Sequence, residues 1–524
     1  MQRFLYGLTL VCLFSSHAVT AQSPSRDWRS ADRTIIGDFT RVTSVATSLD
    51  RVFVTSPAQV LIWHPQFHQW EGPFDPPDPA LIARVFGALV DPLDNSLWLA
   101  RPDGWVHYQP ELQAWDRGDV PDGVITIAFD LSDPVAGLFL RTRRGWQLLP
   151  RGGLMTSPTH PPARPSSPAR VDDVLGSNPT LQANAAQILT DPRLRTVRYT
   201  CAARSVDNLG WYLGTSGVGL LYLADGAALP ERLTFGLPSA SVGAVLSWAD
   251  GVWAATERTP QADAAVTFVA ETLTEFRMLQ GPPATGVPFT QVRKLAGQDR
   301  SLWAATDFGL ARLQLADGRI DLVDQARGLP DSRVYAVVSR QGRITIGTAH
   351  GIARVNDSLR VERLVPQFAD AAYAIFPSGD SVWVGTSRGL FVALPNQRDV
   401  IRPATVASAS LQAPVIAMAS LGDTLVALTR DQLLWRNPRS AAWTLGPNLS
   451  GLLGKLCCFA AEGPGFWVAG EQGVGFARLQ TPPIRTLREG DLPASTNDLA
   501  VDQDYLWVAT DGGLVRFALS AIRP

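Results

Sequence analysis

The sequence predicts an all-β protein, a β-propeller of about eleven four-stranded blades divided between two rings and closed by a terminal strand. One observation is a phrase that recurs. Leu506-Trp507-Val508-Ala509-Thr510-Asp511-Gly512-Gly513-Leu514 has close copies opening at Ser301, Arg343, Ser381 and Gly465, and fainter ones at Arg51, Ser96, Gly137, Gly210, Gly251 and Thr424. Another is the period. Aligned on Trp507, the anchors are Phe53, Trp98, Phe139, Tyr212, Trp253, Trp303, Thr345, Trp383, Val426, Trp467 and Trp507, spaced by 45, 41, 73, 41, 50, 42, 38, 43, 41 and 40 residues. A repeat of about 40 residues is the length of one four-stranded blade. The last is that the strand segments are apolar on both faces, as sheets sandwiched between neighbours must be. Eleven units exceed the usual ring of roughly four to eight blades, hence two rings.

Taken in chain order, 1–21 reads as a secretory signal peptide. Arg3 gives the basic start, Phe4 to Phe14 the apolar run, and Val19-Thr20-Ala21 the small-residue cleavage signal before Gln22. Cys12 follows Val11 rather than a small residue, which argues against a lipid anchor. The run Thr34 to Phe39 is a spare strand. The final unit stops near Ala518-Leu519 without an outer strand, so this spare strand is expected to complete it and join the termini. Repeats 1–3 occupy 34–155 and repeats 4–11 occupy 199–520. The long gap leaves 156–198 as an insertion, with Ser157 to Ala169 an irregular exposed Pro/Ser loop and Leu181 to Leu189 a helical turn or two.

Within a unit, an apolar strand such as Val334 to Val338 precedes a turn, and the anchor strand follows. Asp50, Asn95, Asp250, Asp380, Asp423 and Asp504 all lie three residues before their anchors. Side chains recurring at one turn position serve the turn by bonding their own backbone, rather than catalysis or calcium. Six residues after the anchor, Gly occurs in seven copies, where a hairpin needs positive φ. Trp70, Trp115 and Trp443 fall 17 residues after their anchors and mark outer fourth strands. Trp303, Trp383, Trp467 and Trp507 are expected to be buried between blades.

The run Val382-Trp383-Val384-Gly385-Thr386 with Gly389-Leu390, and the Gly-Leu-Pro triplets at Gly236 and Gly328, resemble the two-component regulator propeller repeat. The resemblance covers nearly all of the chain from about Asp50. It implies a fold like the extracytoplasmic sensor propellers of hybrid histidine kinases, which commonly form tandem rings, and an association with glycans. The sequence holds no kinase-like region, no membrane span after the repeats and no following immunoglobulin-like module. The expectation is a sensor-like propeller without a kinase.

Loss of Arg3 with the leader leaves 45 basic against 48 acidic residues, a formal charge of −3, which gives no electrostatic case for nucleic acid or an anionic membrane. Lys294 and Lys455 are the only lysines. Cys201, Cys457 and Cys458 are too few for a disulfide framework. Adjacent Cys457 and Cys458 on an inner strand should point to opposite faces and serve as buried small apolar residues rather than a redox pair. His64 and His68 sit in a hairpin, and the remaining histidines do not supply a zinc set. Arg117-Gly118-Asp119 lies where other blades turn. No nucleophile elbow, phosphate loop, zinc-protease helix or dinucleotide fingerprint is present. No cofactor, metal or catalytic residue is assigned.

Polar residues intrude where inner strands begin. Ten residues before the anchor stand Arg293, Tyr335, Tyr373 and Asn497, against Gly243, Ile416 and Cys457 elsewhere; Lys294 and Asp498 come one later. Such groups must face the channel or one another, because an unpaired buried charge is costly. They pair between blades or contact a ligand, and Arg293, Lys294, Tyr335, Tyr373 and Asn497 are the candidate ligand set. The function expected is an exported, non-catalytic propeller binding a glycan, peptide or envelope protein. The alternatives are a propeller-scaffold enzyme acting on polysaccharide or lactone, or a structural part of a surface or secretion assembly. Acidic pairs such as Asp75 and Asp78, or Asp172 and Asp173, are too generic to support the enzyme.

Overall fold

The computed structural model describes residues 29, 32–166, 168–177, 197–227, 229–259, 262–280, 289–395, 398–403, 412–439, 442–479, 481–488 and 490–523. The leader 1–21 and the helical turns expected at Leu181 to Leu189 lie outside them. Strand accounts for 54% and helix for 5% of the structure, arranged as eleven antiparallel sheets. Nine have four strands, one five and one three among the described residues. Each is a blade, numbered here 1 to 11 in chain order.

Inner-strand packing divides the blades. The inner strands Val242–Ser247, Val292–Gln298, Val334–Arg340, Ala372–Ser378, Val415–Leu421, Leu456–Glu462 and Thr496–Val501 pack in that order, and the last returns against the first. Blades 5 to 11 therefore form a closed ring of seven. Blades 1 to 4, with inner strands Ser44–Thr47, Gly87–Val90, Val124–Asp130 and Tyr199–Arg204, form a separate arc in which blade 4 packs on blade 1.

The expected terminal closure is present. Arg33–Ile36 pairs antiparallel with Gly513–Ala518, Arg33 opposite Phe517 and Ile36 opposite Leu514, so it is the outer strand of blade 11. Four blades of a different unit thus lie in sequence between two strands of one sheet. An aromatic chain joins the units. Trp63 meets Trp70 at 5.1 Å, Trp70 meets Phe235 at 5.3 Å, and Phe235 meets Phe276 of blade 5 at 4.3 Å between ring centroids.

The repeating residues now have reasons. Trp253, Trp303, Trp467 and Trp507 are buried, whereas Trp383, expected to match them, is half-buried against Trp443 and the Arg436 guanidinium. Threonine three residues after the anchor is a turn lock. Thr306 Oγ1 donates to the Gly309 carbonyl at 2.7 Å, and Thr510 Oγ1 to that of Gly513 at 2.6 Å. Gly309 and Gly513 have φ of 142° and 133°, a region L side chains rarely adopt.

Two expectations about surface segments are corrected. Ser157 to Ala169 is not an irregular loop. Ser157–Thr159 forms the outer strand of blade 3, and Pro165–Ser166 pairs with the far side of its inner strand. An Ala169–Ala202 bridge then links the segment to blade 4. Asp130 holds it in place by accepting from the amides of Ala163 at 2.7 Å and Arg164 at 3.1 Å, so fixed backbone donors override the Pro-rich composition. Arg117-Gly118-Asp119 likewise lies within the outer strand Ala114–Asp119, paired with Gly104–Gln109, and not in a turn.

Candidate ligand-binding mouth of the seven-blade ring

All seven inner strands of the ring break register at the same place. The slips fall between Val242 and Ala244, Val292 and Lys294, Val334 and Ala336, Ala372 and Ala374, Val415 and Ala417, Leu456 and Cys458, and Thr496 and Asp498. Gly243, Arg293, Tyr335, Tyr373, Ile416, Cys457 and Asn497 are therefore the extra residues of seven β-bulges. A bulge leaves its extra residue unpaired and re-aims the side chain. The residue before each is buried, and each bulged residue is half-buried. The positions singled out in the sequence by polar intrusion are thus one structural position, repeated round the mouth of the axial channel.

Three of these side chains form a continuous arc over blades 6 to 8. The Arg293 guanidinium carbon lies 5.2 Å from the Tyr335 ring centroid, and the Tyr335 and Tyr373 rings are 5.2 Å apart at 48°. Cation–π contact holds the guanidinium against the first ring. Arg293 Nε is buried and has no hydrogen-bond partner among the described residues. The arc offers tilted aromatic faces and an unsatisfied donor.

The other two candidates are engaged within the ring. Lys294 Nζ donates to Asp498 Oδ1 at 2.5 Å, and Asp498 Oδ2 accepts from the Val245 amide at 3.3 Å. Burial pushes the Lys294 ammonium down, but the Asp498 carboxylate together with the Cys458 and Cys457 sulfurs more than offsets this, and its value is raised. Its side chain keeps 38% exposure against 3% for Asp498. Asn497 Nδ2 donates to the Val242 carbonyl at 2.9 Å and to Asp511 Oδ1 at 2.8 Å. Asn497 and Lys294 stitch blade 11 to blades 5 and 6.

The rim is polar and internally satisfied. Glu257 accepts from Gln291 Nε2 at 2.7 Å, and Asp511 accepts from Ser495 Oγ at 2.5 Å. On blade 7, burial would raise the Asp331 carboxyl, but the Arg333 amide, His350 and the Arg333 guanidinium hold it below its ordinary value. Arg388 is neutralised by Asp370. Among the described residues, no three His, Cys, Asp or Glu side chains converge on a metal position.

Cys457 and Cys458 do not point to opposite faces as regular strand alternation requires. The bulge at Cys457 turns both side chains the same way, and their sulfurs are 3.4 Å apart. A second concavity, of about 510 Å³, lies between arc and ring, lined among others by Phe74, Tyr108, Trp115, Arg33 and Arg516.

No family model matches the chain, and no curated protein matches it. Among solved structures, it is similar to PorZ, described as a bacterial surface component of the type-IX secretion system of Porphyromonas gingivalis. That match has 13% identity and a TM-score of 0.44, and covers 91% of this chain and 69% of that one. The extracellular domain of the putative hybrid two-component system BT4673 of B. thetaiotaomicron matches at 13% identity and TM-score 0.39, over 91% of this chain and 64% of that one. Virginiamycin B lyase from Staphylococcus aureus matches at 14% and 0.42, over 53% of this chain and 95% of that one. No helix among the described residues is long and apolar enough to cross a membrane.

Proposed function

We propose that this chain is an exported, non-catalytic β-propeller that binds a polar ligand at the mouth of its seven-blade ring, acting as a sensor-like module. The observation that carries the reading is the contiguous arc of Arg293, Tyr335 and Tyr373 on consecutive bulges, with a buried Arg293 Nε that has no hydrogen-bond partner among the described residues. Tyrosine presents a flat apolar face with a hydroxyl, and guanidinium gives directional donors. That pairing suits a sugar ring or a polar peptide, offered as a glycan, a peptide or a protein of the cell envelope. Lys294 and Asn497 take part by fixing the frame and lie beside the ligand. Export follows from the leader-like 1–21 segment, and the sensor-like role from the repeat's resemblance to extracytoplasmic sensor propellers.

The test is a glycan array and an envelope-extract pull-down with the purified chain, repeated with Tyr335→Ala/Tyr373→Ala. Binding by the parent and its loss in a double variant with unchanged melting temperature is the expected result. Undiminished binding by that folded variant, or no ligand in either assay, overturns the reading.

A further inference from the structure

We propose that Cys457 and Cys458 are a modification site, forming a reversible vicinal disulfide in exchange with a low-molecular-weight disulfide at the channel mouth. The inference is independent of which ligand the mouth takes. Neighbouring residues of a regular strand project to opposite faces, yet these sulfurs are 3.4 Å apart because Cys457 is the bulged residue. Closing to a disulfide length needs a further approach of about 1.4 Å, within reach of side-chain rotation. Adjacent Cα atoms are only ~3.8 Å apart, closer than most disulfides hold theirs, so the ring formed is strained and readily reduced.

Access is unequal, and it orders the steps. Cys457 is half-buried at the position where Arg293, Tyr335 and Tyr373 line the mouth, whereas Cys458 is 2% exposed. The contact with Cys457, together with burial, pushes the Cys458 thiol well above its ordinary value. Cys457 is therefore the entering thiol. Its thiolate attacks one sulfur of the small disulfide, that S–S bond breaks, and one thiol leaves with the Cys457 proton. Cys458 then attacks the Cys457 sulfur, the mixed disulfide breaks, and the second thiol leaves with the Cys458 proton. Two protein thiols lose two electrons and the small disulfide gains them.

The consequence falls on the seam between blades 10 and 11. Reduced Cys457 Sγ contacts the carbonyls of Thr496 at 3.4 Å and Ala469 at 3.5 Å. Oxidation removes that donor beside Asn497 and Asp498.

Reduced full-length protein is exposed to oxidised glutathione, denatured in alkylating reagent and digested for mass analysis. The peptide bearing both residues should lose two hydrogen masses, resist alkylation and recover on dithiothreitol treatment. Cys201, a single thiol that burial pushes up to about 12, is the internal control and should alkylate. Cys458→Ala should stop at one glutathione on Cys457. Alkylation of both Cys457 and Cys458 in the oxidised parent, a persistent single adduct there, or no adduct in Cys458→Ala each overturns the proposal.

Discussion

Lys294 and Asp498 meet across a blade that belongs to neither of them. Lys294 is on blade 6 and Asp498 on blade 11, and the pair closes at 2.5 Å over blade 5, where Ala244 is fully buried and small enough to leave the space. Asp498 also accepts the Val245 amide of that intervening blade. One carboxylate thereby ties three blades together at the seam where the ring closes.

Asp498→Ala should destabilise the ring by about 1–3 kcal/mol. Removing one partner of an enclosed pair costs more than the pair contributes, and the partial exposure of Lys294 discounts the loss. Lys294→Met/Asp498→Leu should recover most of it. Chemical denaturation of both variants checks this, and an Asp498→Ala midpoint equal to the parent's refutes it.

Trp507 has no exposed surface and donates its indole N–H to Asp502 at 2.6 Å. Trp507→Ala should cost about 3–5 kcal/mol through the cavity left behind. An unchanged melting temperature would show that the closing blade does not rely on it.

Deleting Arg33–Ile36 strips Gly513–Ala518 of its ladder partner and buried Ile36 of its place. Unpaired backbone groups exchange, so deuterium uptake over Gly513–Ala518 should rise. Equal uptake would mean the edge is protected some other way.

Asp130 is held at about 2, below its ordinary 3.8, chiefly by the Ser132 hydroxyl and amide, then by the amides of Ala163 and Arg164. A depressed carboxyl contributes stability that is complete above the unfolded value and lost as pH falls through the folded one. Protection of Ala163 to Ser166, corrected for intrinsic exchange, should therefore fall between pH 3.8 and about 2. Asp130→Asn should lack that step. A step that survives in the variant assigns it elsewhere.

Much of the fold was legible because each blade repeats a local solution. Trp507 and its equivalents fill space, Thr510 and its equivalents lock a turn, and Gly513 permits it. These are side-chain requirements, so they leave a residue signature. The partition into seven and four was not legible, because which inner strand packs on which is decided between units of similar sequence. The bulges left no signature either: Gly243, Arg293, Ile416 and Cys457 share no chemistry, and what they share is backbone geometry. Sequence therefore found the polar bulge residues by contrast with their neighbours, and misread Cys457 and Cys458 by assuming unbroken alternation.

Closure by Arg33–Ile36 also sets an order of events during synthesis. Among the described strands, the first to leave the ribosome is the one needed last, since Gly513–Ala518 is made after every other one. The arc can fold while that strand waits unpaired, but the ring cannot close until blade 11 has been made. Joining two ends so distant in sequence is a slow, high-contact-order step. Ribosome-bound chains short of blade 11 carry an open sheet edge, which makes them the stage most exposed to aggregation and to chaperones.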